Sequence, residues 1–344
     1  MHNQSSIRTI LVGCGKMSSA WLKAALSISN VKIVGLVDVI EAAAREQATT
    51  YKLTDAIVAT DLETVLQQTD ADAVFNCTIP EAHYTVTMQA LAHGCHVLSE
   101  KPLADSMEHA REMVETAQRA GKIFAVIQNR RYDPNIRRMA SFLSSNALGP
   151  LTTVNSDFYI PAHFGGFRDH MPHVLLLDMA IHSFDAARLL TGADPVSVYC
   201  HEWNPAGSWY DQDASALAIF EMSNGLVYTY RGSWCANGLP TSWECDWRFI
   251  GQDGSATWDG GSRTQAQLVE SLDGFSPTYR NVEIPAYSNE NIAGHAGVIN
   301  EFFDCIEHGT QPETSASDNI KSLAMVFGAI KSAETGQKTT IAEH

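Results

Sequence analysis

The chain has 344 residues, 45% of them apolar, with 39 acidic against 23 basic side chains and a formal net charge of -16. That length suggests two domains at roughly 150 residues each, and the acidic balance argues against a nucleic-acid binder or a protein held electrostatically on anionic lipid. No apolar run approaches the roughly 18 residues of a membrane span, and seven scattered cysteines without a CxxC pair fit free thiols in a reducing cytosol better than a disulfide framework.

Met1 to Gly15 carries one arginine and a short apolar run leading into a glycine turn, so it reads as a first strand and not as a signal peptide. Ile7 to Val12 is β-like; Met17 to Ser27 has helical spacing, with Trp21, Ala24, Ala25 and Ile28 on one face. Strands follow at Ile33–Val37, Ala73–Cys77, His96–Ser99 and Ile123–Ile127, with helices around His83–His93 and Ser106–Ala120. This alternation predicts a parallel sheet covered by helices on both faces, an α/β Rossmann domain over residues 1–127. Asp133-Pro134 is a helix start, and Gly149 offers a stop. Beyond it the pattern turns strand-like: Asn224-Gly225 between two apolar runs is a hairpin signal. Gln252-Asp253-Gly254 is another tight turn, and Trp243, Cys245, Trp247 and Phe249 alternate with polar residues as one aromatic sheet face. Two closing helices are predicted at about 297–307 and 318–335. Residues 128–344 therefore read as an α+β domain, a mostly antiparallel sheet with helices.

Gly13-Cys14-Gly15-Lys16-Met17-Ser18 is a GxGxxG turn between the first strand and helix, with serine at the last position. Gly13 permits the tight turn, Gly15 lets a pyrophosphate approach the backbone, and the helix N-terminus beyond Lys16 and Met17 offers N–H groups to phosphate. Asp38 ends the second strand, where a carboxylate accepts from ribose hydroxyls and repels a 2′-phosphate. No basic residue follows it immediately, so the expected cofactor is NAD, with NADP disfavoured.

Ser99-Glu100-Lys101-Pro102 follows another strand of the same sheet, which places Lys101 at the carboxyl edge where such folds bind ligands. Pro102 restricts the lysine backbone to extended conformations. The run from Thr78-Ile79-Pro80 through His83 to Glu100-Lys101-Pro102, then Asn129-Arg130-Arg131-Tyr132-Asp133-Pro134 and Leu177-Asp178-Met179-Ala180-Ile181-His182-Ser183-Phe184-Asp185, resembles the glucose–fructose oxidoreductase / inositol dehydrogenase / rhizopine-catabolism (Gfo/Idh/MocA) family. The resemblance covers most of the chain. It implies a dinucleotide domain, a C-terminal substrate domain, and homo-oligomers, dimers or tetramers, formed through the second sheet. It further implies a catalytic constellation of Lys101, Asp178 and His182, and a cofactor-side turn at Thr78 and Pro80. Glu100 is placed with the cofactor-binding residues, and His83 either caps that turn or contacts the cofactor.

Alcohol oxidation needs a proton acceptor and a group to stabilise developing alkoxide. His182 suits the first task, with an unperturbed pKa near 6.5, and Lys101 the second. Asp178, four residues before His182, then binds a neighbouring hydroxyl or orients the others. Relatives often carry glycines before this helix, whereas here the approach is Arg168-Asp169-His170-Met171-Pro172-His173. Those groups can contact substrate or form an ordinary loop; their HxxH spacing is a weak signal, and no metal is expected. Tyr159, His163, Arg168 and His173, with Arg131, are the candidate substrate contacts. The expected function is hydride transfer between nicotinamide and a secondary hydroxyl of a sugar, cyclitol or glycoside, in a cytoplasmic enzyme with no nucleic-acid or membrane partner. Glycoside cleavage through transient redox and a non-catalytic dinucleotide-binding regulator are the alternatives.

Overall fold

The computed structural model describes residues 6–287 and 293–341. Met1–Ser5, which the N-terminal reading included, lie outside the described residues. The chain forms two compact units, Met1–Tyr132 with Asn291–Ile320, and Asp133–Glu290 with Lys321–His344. They are not the contiguous 1–127 and 128–344 expected from the sequence.

In the first unit, strands β1 (Ile7–Val12), β2 (Val31–Val37), β3 (Ile57–Ala59), β4 (Ala73–Asn76), β5 (His96–Ser99) and β6 (Phe124–Val126) form one sheet in the order β3-β2-β1-β4-β5-β6. Every pairing is parallel. The inner strands are nearly continuous apolar runs because both faces are covered. The connecting helices are α1 (Ser18–Leu26), α2 (Glu41–Thr50), α3 (Leu62–Gln68), α4 (Pro80–Ala92) and α5 (Met107–Ala120). Ser106 caps α5 by accepting from His109 N at 3.2 Å, and Gly121 closes it in the left-handed region at φ 63°.

The second unit starts with α6 (Pro134–Ser144), capped by Asp133 accepting from Asn135 N at 2.7 Å. Its sheet comprises β7 (Leu151–Tyr159), β8 (Pro195–Trp203), β9 (Ser215–Met222), β10 (Val227–Ser233), β11 (Asp246–Gly251), β12 (Gly254–Trp258), β13 (Thr264–Ser271), β14 (Thr278–Val282) and β15 (Thr339–Thr340). The order is β14-β13-β12-β11-β7-β10-β9-β8-β15. All pairs are antiparallel except β7 with β10. Gly225, at φ 81°, turns the β9–β10 hairpin where Asn224-Gly225 predicts it. The buried face carries Phe158, Phe220, Tyr228, Tyr230, Trp247 and Phe249. Phe184 of α7 (Ile181–Thr191) meets this face edge-on, 4.8 Å from Phe220 and 5.3 Å from Tyr230 between ring centroids.

Of the two closing helices, α8 (Gly294–His308) belongs to the first unit. Its Val298, Ile299, Phe302 and Phe303 join the core of Trp21 and Phe75, with Phe75 and Phe303 rings 5.6 Å apart. Helix α9 (Ala316–Thr335) leads from there into the second unit.

Candidate functional site

The glycine turn has the features a dinucleotide requires. Gly13 sits at φ 88°, and a Cβ there would lie 2.5 Å from Cys77 O, so only glycine fits where β1 and β4 end side by side. At Gly15 nothing lies within 4 Å of an added Cβ, leaving the backbone open to an approaching group. Lys16 and Met17 are exposed beside it. Helix α1 starts without a side-chain cap, so its first N–H groups are not satisfied locally by a side chain. Asp38 braces the turn, accepting from Cys14 N at 2.7 Å and Ile40 N at 2.8 Å. Burial and the Asp38 carboxylate push the Cys14 thiol up to about 12, so this cysteine stays protonated and unreactive.

A cavity of about 500 Å³ opens beside this turn, lined by Gly13, Gly15, Asp38, Thr78 and Ile79 among others. The residues fit a bound dinucleotide: a glycine cradle, an uncapped helix end, and the Asp38 carboxylate at the end of β2. Thr78 Oγ1 donates to Asn76 Oδ1 at 2.5 Å, and Pro80 opens α4. Asn76 was not anticipated from the sequence. It is buried at the end of β4 and donates to His83 O and Thr87 Oγ1, holding the turn from below. A polar residue closing an apolar parallel strand was the available signal. His83 is also buried; its ring nitrogens face Pro102 O at 2.8 Å and Thr78 O at 3.1 Å, tying the Thr78 turn to the Pro102 step. Burial lowers its pKa, so the neutral ring donates to one carbonyl.

Lys101 follows β5 and is joined to Pro102 by a cis peptide. Glu100 is anchored beside it: Trp21 Nε1 donates to Oε1 at 3.0 Å, and Lys101 N donates to Oε2 at 3.1 Å. His295 on α8, also not anticipated, is lowered in pKa by burial, with Glu100 opposing. Arg131, expected to reach substrate, is buried in this unit and pairs with Asp318 at 3.0 Å.

In the second unit, Asp178 lies in a π-helical turn, Leu175–Ala180, that runs into α7 and buried His182. The sequence spacing predicts a regular α-helix here; single π turns inside helices recur at functional sites. Arg168 Nε and Nη2 donate to the two oxygens of Asp178 at 2.8 and 3.2 Å. The guanidinium lies 5.1 Å from the Phe164 ring centroid and 4.8 Å from that of Phe167. His163 stacks on Trp209 at 3.7 Å, and Trp209 Nε1 and Tyr210 OH both donate to Ala162 O. Tyr159 ends β7 half-buried, its amide donating to Thr241 Oγ1 at 3.0 Å. His170 pairs with Asp211, which raises its pKa. His173 turns to Glu202 at 2.7 Å. No cluster of three or more metal-ligating side chains occurs among the described residues, and no helix among them is long and apolar enough to cross a membrane.

A family profile described as the oxidoreductase family with an NAD-binding Rossmann fold, GFO_IDH_MocA, matches residues 7–128. The C-terminal domain profile of the same family matches residues 136–257. The 1,5-anhydro-D-fructose reductase of Ensifer adhaerens is 25% identical over 339 residues, covering 96% of this chain and 97% of that protein. The inositol 2-dehydrogenase of Rhizobium meliloti is 24% identical over 355 residues, covering 98% of this chain and all (100%) of that protein. An oxidoreductase from Agrobacterium radiobacter, solved in complex with NAD+, L-tartaric acid and magnesium, shares the fold at a TM-score of 0.84 and 20% identity. That match covers 98% of this chain and 99% of the other.

Proposed function

The chain belongs to the Gfo/Idh/MocA family of NAD-binding oxidoreductases acting on alcohol groups, and from that premise we propose that it transfers a hydride between nicotinamide and a secondary hydroxyl of a sugar, cyclitol or glycoside. One observation carries the reading. Lys101 follows β5, the neighbour of β4, and Cys77 and Thr78 just after β4 border the dinucleotide cavity. The reactive amine and the cofactor cradle thus share the carboxyl edge of one parallel sheet.

When bound, the nicotinamide supplies the hydride acceptor or donor. The Lys101 ammonium donates a hydrogen bond to the substrate oxygen and stabilises the negative charge that grows on it. His182 takes the hydroxyl proton during oxidation and returns it during reduction. Asp178 accepts from an adjacent substrate hydroxyl and sets the sugar's orientation, while Arg168 holds that carboxylate in place. Tyr159 and His163, on the strand end and loop before Arg168, are proposed to face the substrate. Carried over with the same family is an oligomer formed through the second sheet, on the face where Tyr199 and Ile219 pair across β8 and β9 and are both exposed. Ile219→Arg is expected to lower the mass in solution to that of a single chain.

The deciding experiment follows NADH formation at 340 nm with NAD and a panel of inositols, aldoses, 1,5-anhydro sugars and glycosides, beside Lys101→Ala and His182→Asn. Turnover on one class that both substitutions abolish supports the reading. Turnover untouched by either substitution would overturn the assigned roles. Silence across the panel, with NAD binding verified calorimetrically, would overturn the substrate class.

A further inference from the structure

His173 has a conformation that its side-chain type disfavours. Its φ is 52°, in the left-handed region where a Cβ is crowded and glycine is the usual occupant. Residues held there persist only when their surroundings over-determine them, and they concentrate at functional sites. Its carbonyl accepts from Leu177 N at 3.0 Å, so its backbone forms the first bond of the turn that carries Asp178 and continues into α7 with His182. The side chain meets acidic groups from two further segments. Nδ1 meets Glu202 Oε2 of β8 at 2.7 Å, and Nε2 lies 3.7 Å from Glu334 Oε1 of α9. Asp213, ahead of β9, adds a further negative charge that favours the protonated ring. The Glu202 side chain is only 2% exposed, and its Oε1 is buried without a hydrogen bond. A buried carboxylate so placed demands a cationic partner.

We propose that His173 is a positioning residue: clamped by Glu202, its imidazole fixes the left-handed bend that sets the start of the helical segment bearing Asp178 and His182. This rests on the reading of those two residues as the catalytic pair. It makes His173 a backbone anchor and not a sugar ligand, and it makes the anchor sensitive to pH. The Glu202 hydrogen bond raises the His173 pKa, and burial raises the Glu202 carboxyl, so the pair holds one proton between them tightly. A histidine raised in the folded state contributes stability in full below its unfolded value near 6.5. That contribution is lost as pH rises through the folded pKa. Glu202, Glu334 and Asp213 are all acidic, so each favours the imidazolium.

The test compares His173→Gln, which keeps the strained backbone and loses the cation, with His173→Gly, which adopts positive φ freely. In the full-length enzyme with NAD and its substrate, His173→Gln is expected to lower kcat about tenfold with KM unchanged. His173→Gly is expected to recover most of that loss and to lack the alkaline fall in kcat that the anchor predicts for the parent. Glycine no better than glutamine, or KM raised in both, would overturn the anchor. If the parent turns over nothing, the catalytic reading fails on its own, and melting temperatures still decide the anchor. Glycine melting above glutamine supports it, and the reverse order overturns it.

Discussion

Arg168 grips both oxygens of Asp178, Nε to Oδ2 at 2.8 Å and Nη2 to Oδ1 at 3.2 Å, and two phenyl rings back its guanidinium. A planar fork on a carboxylate fixes direction as well as distance, which a lysine ammonium does not reproduce. Arg168→Lys is therefore expected to raise KM for the polyol about tenfold while leaving the NAD affinity untouched. Steady-state kinetics with each substrate varied in turn checks it; a rise in KM for NAD instead would sever Arg168 from substrate binding.

Gly13 and Gly15 look alike in the sequence and differ in the structure. Gly13→Ala forces a Cβ to 2.5 Å from Cys77 O at φ 88°, and is expected to destabilise the protein by more than about 2 kcal/mol. Gly15→Ala meets no neighbour, so its melting temperature should match the parent's, yet its methyl projects where the pyrophosphate must approach. Calorimetry should find NAD affinity at least tenfold weaker in a normally folded Gly15→Ala.

Trp21 links the glycine-turn helix to the lysine step through one hydrogen bond, Nε1 to Glu100 Oε1 at 3.0 Å. Trp21→Phe keeps much of the ring's packing on Phe75, 5.0 Å away, but removes the N–H. Losing a hydrogen bond to a charged group costs about 1.5–3 kcal/mol, so urea melts should shift by that order. Turnover should fall several-fold as Glu100 is released beside Lys101; a melt and a kcat both equal to the parent's would contradict the link.

The parts of this architecture that were legible in the sequence are those set by local chemistry. Buried parallel strands must be apolar throughout, which exposed β1, β2, β4, β5 and β6, and Asn224-Gly225 marked its hairpin. Residues 39–61 stayed silent because α2 buries only Ala44 and β3 is a three-residue, partly exposed edge strand. The apolar face of α8 was readable, but not that it packs on Trp21 and Phe75, since periodicity names a face and never its partner. Trp243 was expected on the aromatic strand; Cys245 at φ 68° precedes β11, and Trp243 stands half-exposed ahead of it. Lys101, Asp178 and His182 were singled out by motif, and their roles are proposed here. The clamps on the helical segment around Asp178, Arg168 on Asp178 and Glu202 on His173, join residues 10 and 29 positions apart and leave no local signature.

A partly buried polar network ties α7 to α9, and it supplies an acid-side test. Arg188 donates to Ser322 Oγ and Asp194 Oδ1, both at 2.9 Å; Ser322 donates to Asp185 at 2.7 Å, and Lys321 Nζ to Asp194 at 2.6 Å. Burial pushes the Asp194 carboxyl up, but the two cationic donors more than offset it, and its pKa lies below the ordinary value. A depressed carboxyl contributes stability above its unfolded pKa near 3.9, and that contribution disappears as pH falls through the folded value. Because the Asp194 side chain is 45% exposed, solvent screening limits the effect to about 1 kcal/mol. Asp194→Asn should therefore unfold at lower urea than the parent at pH 7, and the gap should close as pH drops below about 4. A gap that stays constant from pH 7 to pH 3 would mean that the amide disturbs packing and that the charge of Asp194 contributes nothing.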